Sequence, residues 1–455
     1  MLPKSWFLSC LFLSCLFLLL TPLLLPAQGR SDLQQILDRL DRLERENHSL
    51  ADEVRALRSE LTVMGVARSS APAQEAPVEE RVAVVEQRTE ELSQSKVETG
   101  QRLPLTLTGM VLFNTFLNGR ASGGAQAPLV ASPSDNVSLG GASLSQSIIG
   151  LRFQGPRVLG GGQVRGLVDL DLWGGTSSSL NHLVRMRVAT VQVDWKNSTV
   201  TVGQDKPIIA PRDPDSLSQV AFSPLTSAGN LWLWQPQVRF EQRFALGEEM
   251  GVRAQAGVYQ TSEPLASAGP QFQATLSTAR PALEGRFELW RKFGAGAHVE
   301  IAPGFHVSQT HVAGVSIPSR LFTIDWLIQP ITKLQFTGTF FNGRNAAGVG
   351  GLRQGFTHFG QDRFAAVPAM GGWAQLSYLA TKRLTVNVYG GQESNSAASL
   401  LGGQVARNFS YAGDLRYRLG SNVLLGLEAN QVRTTYVGGL LRLVNHYDLA
   451  LAYLF

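Results

Sequence analysis

The 455-residue sequence predicts an all-β transmembrane barrel of about 16 antiparallel strands, preceded by a periplasmic α-helical coiled coil. Three observations carry this reading: an apolar N-terminal leader, a heptad repeat behind it, and a two-residue apolar/polar alternation from Leu105 to the last residue. Composition agrees. Mean hydropathy is neutral, yet only 16% of residues are charged, against about 25% in soluble domains. No internal stretch approaches the roughly 18 to 20 apolar residues that a membrane helix needs. A multi-span helical membrane protein is excluded, and an ordinary cytosolic enzyme is disfavoured.

Residues 1–27 carry one cation, Lys4, then an apolar run from Trp6 to Leu25 that closes at Pro26-Ala27. This is the layout of a secretory signal peptide cleaved after Ala27, with an uncleaved anchor as the alternative. The only two cysteines, Cys10 and Cys15, lie inside it. The mature chain then has no thiol, which excludes disulfides and thiolate metal sites. An exported, cysteine-free chain points to a Gram-negative envelope.

Residues 31–64 hold the heptads. Leu33, Leu40, Asn47, Val54 and Leu61 fall at a; Ile36, Leu43, Leu50, Leu57 and Met64 fall at d. Two apolar seams over this length make a coiled coil roughly 50 Å long. Arg39 can reach Glu44 of a neighbouring chain and Glu53 can reach Arg58, while Asn47 fixes register. Leucine at both seams leaves two strands and three both open. Residues 65–77 form a flexible linker. Residues 78–96 place Val78, Val82, Val85 and Leu92 at helical spacing, either a second coil or a helix docked at the barrel mouth.

From residue 101 to 455 the chain is the barrel domain. The alternation predicts strands at 105–118, 143–155, 162–172, 184–195, 198–204, 230–243, 250–260, 280–290, 298–310, 316–329, 334–342, 371–379, 384–392, 405–418, 423–434 and 442–455. Fourteen or eighteen are the alternatives, and the even number is the firmer part. Phe409, Tyr411, Leu415 and Tyr417 oppose Ser410, Asp414, Arg416 and Arg418. Likewise Trp232, Trp234, Val238 and Phe240 oppose Arg239, Glu241 and Arg243. Apolar out and charged in is the barrel signature. Short and long connections alternate, so both ends of the domain face the periplasm. The last strand sets Tyr447, Leu449, Leu451, Tyr453 and Phe455 on one face. Tyr453 and the terminal Phe455 look like the sorting signal of outer-membrane barrels, to be read by the barrel-assembly machinery.

The coiled coil, the junction Thr99-Gly-Gln-Arg-Leu-Pro-Leu-Thr-Leu-Thr-Gly-Met-Val-Leu-Phe-Asn114, the stretch Val200-Thr-Val-Gly-Gln-Asp205 and the terminal Phe455 together resemble a bacterial porin. The likeness is greatest to the coiled-coil-bearing group related to phosphate-selective porins of the O and P type. The resemblance implies a homotrimer of sixteen-stranded barrels, each with its own pore. It also implies that the loop after the fifth strand folds inward as a constriction. Here that loop follows Gln204 and carries Asp205, Lys206, Arg212, Asp213 and Asp215, stiffened by Pro207, Pro211 and Pro214.

Residues 101–455 hold 29 Lys+Arg and 20 Asp+Glu. Alternation turns Arg152, Arg165, Arg239, Arg243, Arg253, Arg286, Arg416 and Arg418 inward. Arg185 and Arg187 join them if the pattern flips near Val188 through a β-bulge. A cationic lumen concentrates anions; the alternative is that these arginines pair with wall carboxylates. His298, His306 and Ser308 share the inner face, but no Gly-x-Ser-x-Gly, His-Glu-x-x-His or phosphate-binding glycine loop occurs. The expectation is a channel without catalysis, cofactor, metal or nucleic-acid partner. It would pass small hydrophilic solutes through an outer membrane with a mild anion preference. A structural role is the alternative: the coil tethering the envelope to the cell wall, or the loops acting as a surface adhesin.

Overall fold

A computed structural model describes residues 105–134, 137–174, 182–263, 270–360 and 363–455. The leader, the coiled-coil seam from Leu33 to Met64, the linker, the 78–96 helix and the start of the junction lie outside the described residues.

The strands are β1 (Leu105–Asn118), β2 (Leu139–Ser143), β3 (Ile148–Val158), β4 (Gly162–Asp171), β5 (Arg185–Asp194), β6 (Ser198–Asp205), β7 (Gln235–Ala245), β8 (Met250–Thr261), β9 (Arg280–Phe293) and β10 (Ala297–Val312). There follow β11 (Val315–Ile331), β12 (Leu334–Arg344), β13 (Phe356–His358), β14 (Phe364–Ala366), β15 (Pro368–Leu379), β16 (Leu384–Asn395), β17 (Val405–Arg418), β18 (Val423–Tyr436) and β19 (Leu441–Leu454). β13 and β14 form a separate hairpin. The others make one antiparallel sheet that closes where β1 meets β19, with Met110 opposite Leu454 and Asn118 opposite His446. β2 and β3 pair successively with the two halves of β1, so they are one interrupted strand and the barrel has sixteen.

Each strand is the inverse of a soluble one. On β19, Tyr447, Leu449, Leu451 and Tyr453 point outward and are about half exposed, whereas His446, Asp448, Ala450 and Ala452 are buried inside. Phe305 and Val307 on β10 are exposed, and His306 and Ser308, which alternate with them, are not. An apolar outer wall without protein over it is stable only in lipid, where closure satisfies every backbone hydrogen bond. Tyr378, Tyr417, Tyr453, Phe455 and Phe293 are exposed within a few residues of one rim and form an aromatic girdle there.

That rim carries the short turns, such as Leu159–Gly161, Gly294–Gly296 and residues 332–333. The opposite rim carries the long loops, with two exceptions, one of them the four-residue connection 437–440 between β18 and β19. β10 and β11 are joined by Ala313 and Gly314, both at positive φ (48° and 75°), the geometry of a two-residue I′ hairpin.

Two strand expectations need correction. The strand predicted at 143–155 starts earlier and is broken over residues 144–147. There Ser147 substitutes for a backbone partner: its Oγ accepts from Leu112 N at 3.0 Å and lies 3.3 Å from Leu112 O, to which it donates. The strand predicted at 230–243 begins at Gln235. Trp232 and Trp234 therefore leave the lipid face, and only Val238 and Phe240 keep it. The expected bulge on β5 is present, since Asp169 faces Val188 while Leu170 faces Met186, leaving Arg187 as the extra residue.

Closure at the seam depends on the last residue. Gly109 N donates to Phe455 O at 2.9 Å and Phe455 N to Gly109 O at 3.1 Å. A Cβ on Gly109 would lie 2.5 Å from Ile148 O and 2.6 Å from the Phe455 ring, so the ring seats where only glycine fits. Deleting Phe455, or changing Gly109→Val, is expected to lower the yield of heat-modifiable folded barrel. An unchanged yield in both variants would show that closure does not depend on this contact.

Candidate functional site

The segment 206–234, between β6 and β7, enters the barrel and is fastened to the wall almost all the way round. Prolines 207, 211 and 214 fix φ along its descending arm. Ile208 N donates to Tyr259 Oη at 3.1 Å. Arg212 then crosses to the far wall, where Nε donates to Asp325 Oδ1 at 3.1 Å and Nη2 to Glu300. Asp215 N donates to Gln375 Oε1 at 2.6 Å, and its carboxylate holds Arg416 at 2.8 Å. Ser216 donates to Glu428, and Leu217 O accepts from Asn114 Nδ2 at 3.1 Å. The interruption between β2 and β3 now has a purpose. Gln146 turns inward there, donating to Ser218 O at 2.8 Å and accepting from Val220 N and Ala221 N.

The returning arm packs backbone against backbone. Gly229 has φ of 100°, and a Cβ on it would lie 2.3 Å from Gly372 O; one on Gly391 would lie 2.3 Å from Ala228 O. Apolar residues complete the seat. Ile209 and Leu231 join Leu321 and Phe341, Leu217 joins Leu112 and Ala450, and Leu225 joins Trp373 and Ala412. Burying these groups, at roughly 25 cal/mol per Å² of apolar surface, gives the loop a core of its own inside the barrel.

Around this seat one group of carboxylates is buried. Glu284, Glu288, Asp325, Asp414, Glu428 and Asp448, on β9, β11 and β17–β19, are all buried. On β3, β4 and β7, Arg152, Arg165 and Arg239 line a recess of about 640 Å³ with Asp205, Thr106, Gln154, Thr190 and Gln192, so arginines outnumber carboxylates three to one among its charged residues. Arg165 is 62% exposed and lies 3.5 Å from Asp194, and Arg239 holds Asp205 at 2.9 Å. Arg152 is exposed and has no ion-pair partner among the described residues.

The remaining sequence-predicted arginines are spent on the wall. Arg286 is 3% exposed, sealed between Asp325 at 2.7 Å and Glu288 at 2.6 Å, so it does not line the pore. Arg253 also binds Glu288, at 2.5 Å, and Arg243 binds Glu241 at 2.8 Å. Arg416 is enclosed by Asp215 and Asp414. Arg418 lies at the turn rim, donating to Ser421 O at 2.8 Å. Arg185 and Arg187 share Asp171, at 2.6 and 3.6 Å, beside an aromatic row missed in the sequence. Trp173, Phe222, Trp232 and Trp234 follow one another edge to face, with centroids 5.4, 5.7 and 5.1 Å apart. Trp234 meets both arginines, 5.3 Å from Arg185 and 4.8 Å from Arg187, because β7 starts late. His306 binds Glu284 at 2.9 Å and Ser308 at 3.2 Å, but all three are buried, which suits a brace and leaves no room for a substrate.

Lys206 begins the loop, paired with Asp213 and next to Asp205 and Arg187. Burial first, then the Arg187 guanidinium, push its ammonium down to about 8, against the pull of Asp205. Deprotonation removes a positive charge and leaves Asp213 uncompensated, so anion preference is expected to fall between pH 7 and pH 9. Reversal potentials across a salt gradient measure this, and Lys206→Met should remove that step.

The fold has close parallels among solved structures. The outer membrane channel DcaP of Acinetobacter baumannii superposes with a TM-score of 0.62 at 15% identity, covering 77% of this chain and 97% of that one. An anion-selective porin from Comamonas acidovorans gives 0.51 at 12% identity, covering 77% and 99%. OprB of Pseudomonas putida gives 0.51 at 10% identity, covering 80% and 97%. The fold is a porin barrel. No family model and no curated protein matches the sequence. The inward loop predicted from sequence is present, and of the ten arginines predicted to line the pore Arg152, Arg165 and Arg239 surround the open recess.

Proposed function

We propose that the chain is an outer-membrane porin, a water-filled channel through which small hydrophilic solutes diffuse passively, with a preference for anions. One observation carries the sign of the preference: the loop covers the carboxylate wall and leaves the arginine wall facing the open recess. Charges in a narrow, low-dielectric passage act on a permeating ion far more strongly than buried, paired ones do. Lysines are sparse, with Lys196, Lys333 and Lys382 in the short turns. This favours general passage of small anions over a phosphate-specific lysine ladder of the O and P type.

In this reading the turn rim faces the periplasm, and segment 31–64 assembles the chains as a homotrimeric coiled coil there, where it can also meet the cell wall. The heptads support that assembly. The deciding measurement is the reversal potential of the wild-type pore in a potassium chloride gradient at low ionic strength. Chloride preference is the expected result; potassium preference overturns the anion reading and leaves a porin with a differently charged passage.

A further inference from the structure

A cavity of about 570 Å³ opens at the loop rim, between the first long loop, the returning arm of the inward loop, and residues 352–354. Its lining does not suit a passage for hydrated ions. Trp173 and Phe222 form one side, with Leu352, Val405 and Tyr436 among the other lining residues. The wall is held in place, because Tyr436 Oη donates to Ala131 O at 2.6 Å and Ala131 N to Thr434 Oγ1 at 2.8 Å. The polar side chains of the lining are Ser122, Gln126, Ser132, Ser227, Arg353 and Gln354. Arg353 is exposed and enters no ion pair among the described residues. Gln126 Nε2 and Gln354 Oε1 are buried with no hydrogen-bond partner.

We propose that this cavity binds a planar aromatic carboxylate ahead of the constriction. The volume is that of a small-molecule site, and such sites pair apolar walls with a few placed polar groups. A flat ring gains edge-to-face contact with Trp173 and Phe222, worth roughly 0.5–1.5 kcal/mol per aromatic pair beyond area burial. The carboxylate pairs with Arg353, and the unpartnered glutamine amides offer one donor and one acceptor at the ring's margin. Phe222 also belongs to the aromatic row that continues inward. Arg185 lies 5.4 Å from the Phe222 centroid and Arg187 lies 4.8 Å from that of Trp234, so the next cations for a departing carboxylate stand directly below. The proposal goes beyond the porin reading and does not depend on the sign of its selectivity, because its test reads blockade.

The test uses the full-length protein in planar bilayers, with 2-naphthoate added to both chambers. Naphthoate should interrupt the current in a saturable manner, and acetate at equal concentration should not. Trp173→Ala is expected to weaken the naphthoate blocking constant about tenfold, which corresponds to about 1.4 kcal/mol. Arg353→Gln should weaken block by naphthoate but not by uncharged 2-naphthalenemethanol. Equal block by acetate and naphthoate overturns the site, as does unchanged block in a Trp173→Ala pore of wild-type conductance. Where that variant fails to assemble, Arg353→Gln decides alone, since its exposed side chain has no packing role; unchanged naphthoate block in it overturns the proposal equally.

Discussion

Replacing Arg212 with glutamate should raise single-channel conductance severalfold and make the open current noisy. Arg212 is the tie between the descending arm and the far wall, reaching Asp325, Glu300 and, at 3.6 Å, Glu288. Removing one partner of a buried ion pair costs about 3–5 kcal/mol because the other charge is left uncompensated. Here three carboxylates would face a fourth, and the arm has few ways to relieve that except by leaving the wall. The later ties, Ser216 to Glu428 and Gln146 to Ser218, remain, so the substitution frees part of the segment. Deleting 208–222 removes all of these and should raise conductance further while weakening ion discrimination. A folded, heat-modifiable barrel of unchanged conductance in both variants would place the size limit elsewhere.

Changing Arg152, Arg165 and Arg239 together to glutamate should reverse the selectivity of the pore. All three line the open recess, and their one described tie to the inward loop is that of Arg239 to Asp205 at its base, which the double change of Arg152 and Arg165 alone leaves intact. Screening sets the conditions. The Debye length is about 10 Å at 0.1 M salt and about 3 Å at 1 M, so the shift in reversal potential should be large in dilute salt and small near 1 M. Arg418→Glu is the control. It reverses a charge at the turn rim, hydrogen-bonded to Ser421 O, and should move the potential much less. A triple variant that keeps the wild-type potential would show that the recess is not on the ion's route. Arg416 makes a poor reporter for the same question, because its removal would unfasten Asp215 and disturb the loop as well.

The barrel was legible because its signal is repeated. Val405–Arg418 and Leu105–Asn118 have the bounds that the alternation predicts, the first with a register shift between Val405 and Arg407, and β19 shows the alternation down to Tyr453. Misreadings occurred where another demand overrode the period of two. Gln146 leaves the second strand to grip a loop seventy-odd residues downstream, which no local pattern announces. Trp232 and Trp234 keep strand spacing, yet Val349 O takes the Leu233 N–H and draws the segment inside. Charge was harder still. Alternation says that Arg286 and Arg165 both point inward, but not that one is sealed between two carboxylates while the other meets water. That difference arises from partners 2 to 39 residues away and from what the loop covers. One clue was present: apolar Leu112, Phe341 and Trp373 on the inner face of otherwise regular strands marked where the loop would sit.

The breadth of the loop's attachments bears on how the molecule is made. Its partners come from both ends of the barrel: Asn114 lies 103 residues before Leu217, and Glu428 lies 212 residues after Ser216. Contacts of such separation form late, since chain entropy must be overcome first. Asn114, which grips the loop, also donates to Asp448 at 3.0 Å across the closing seam. Sealing the cylinder and seating the segment are therefore coupled, and a cylinder still open at the seam holds its future gate unfastened. During assembly, residues 208–222 should stay accessible to protease until the first and last strands have joined, and become resistant in the same kinetic phase. Biogenesis would then never insert a sealed but ungated hole into the membrane.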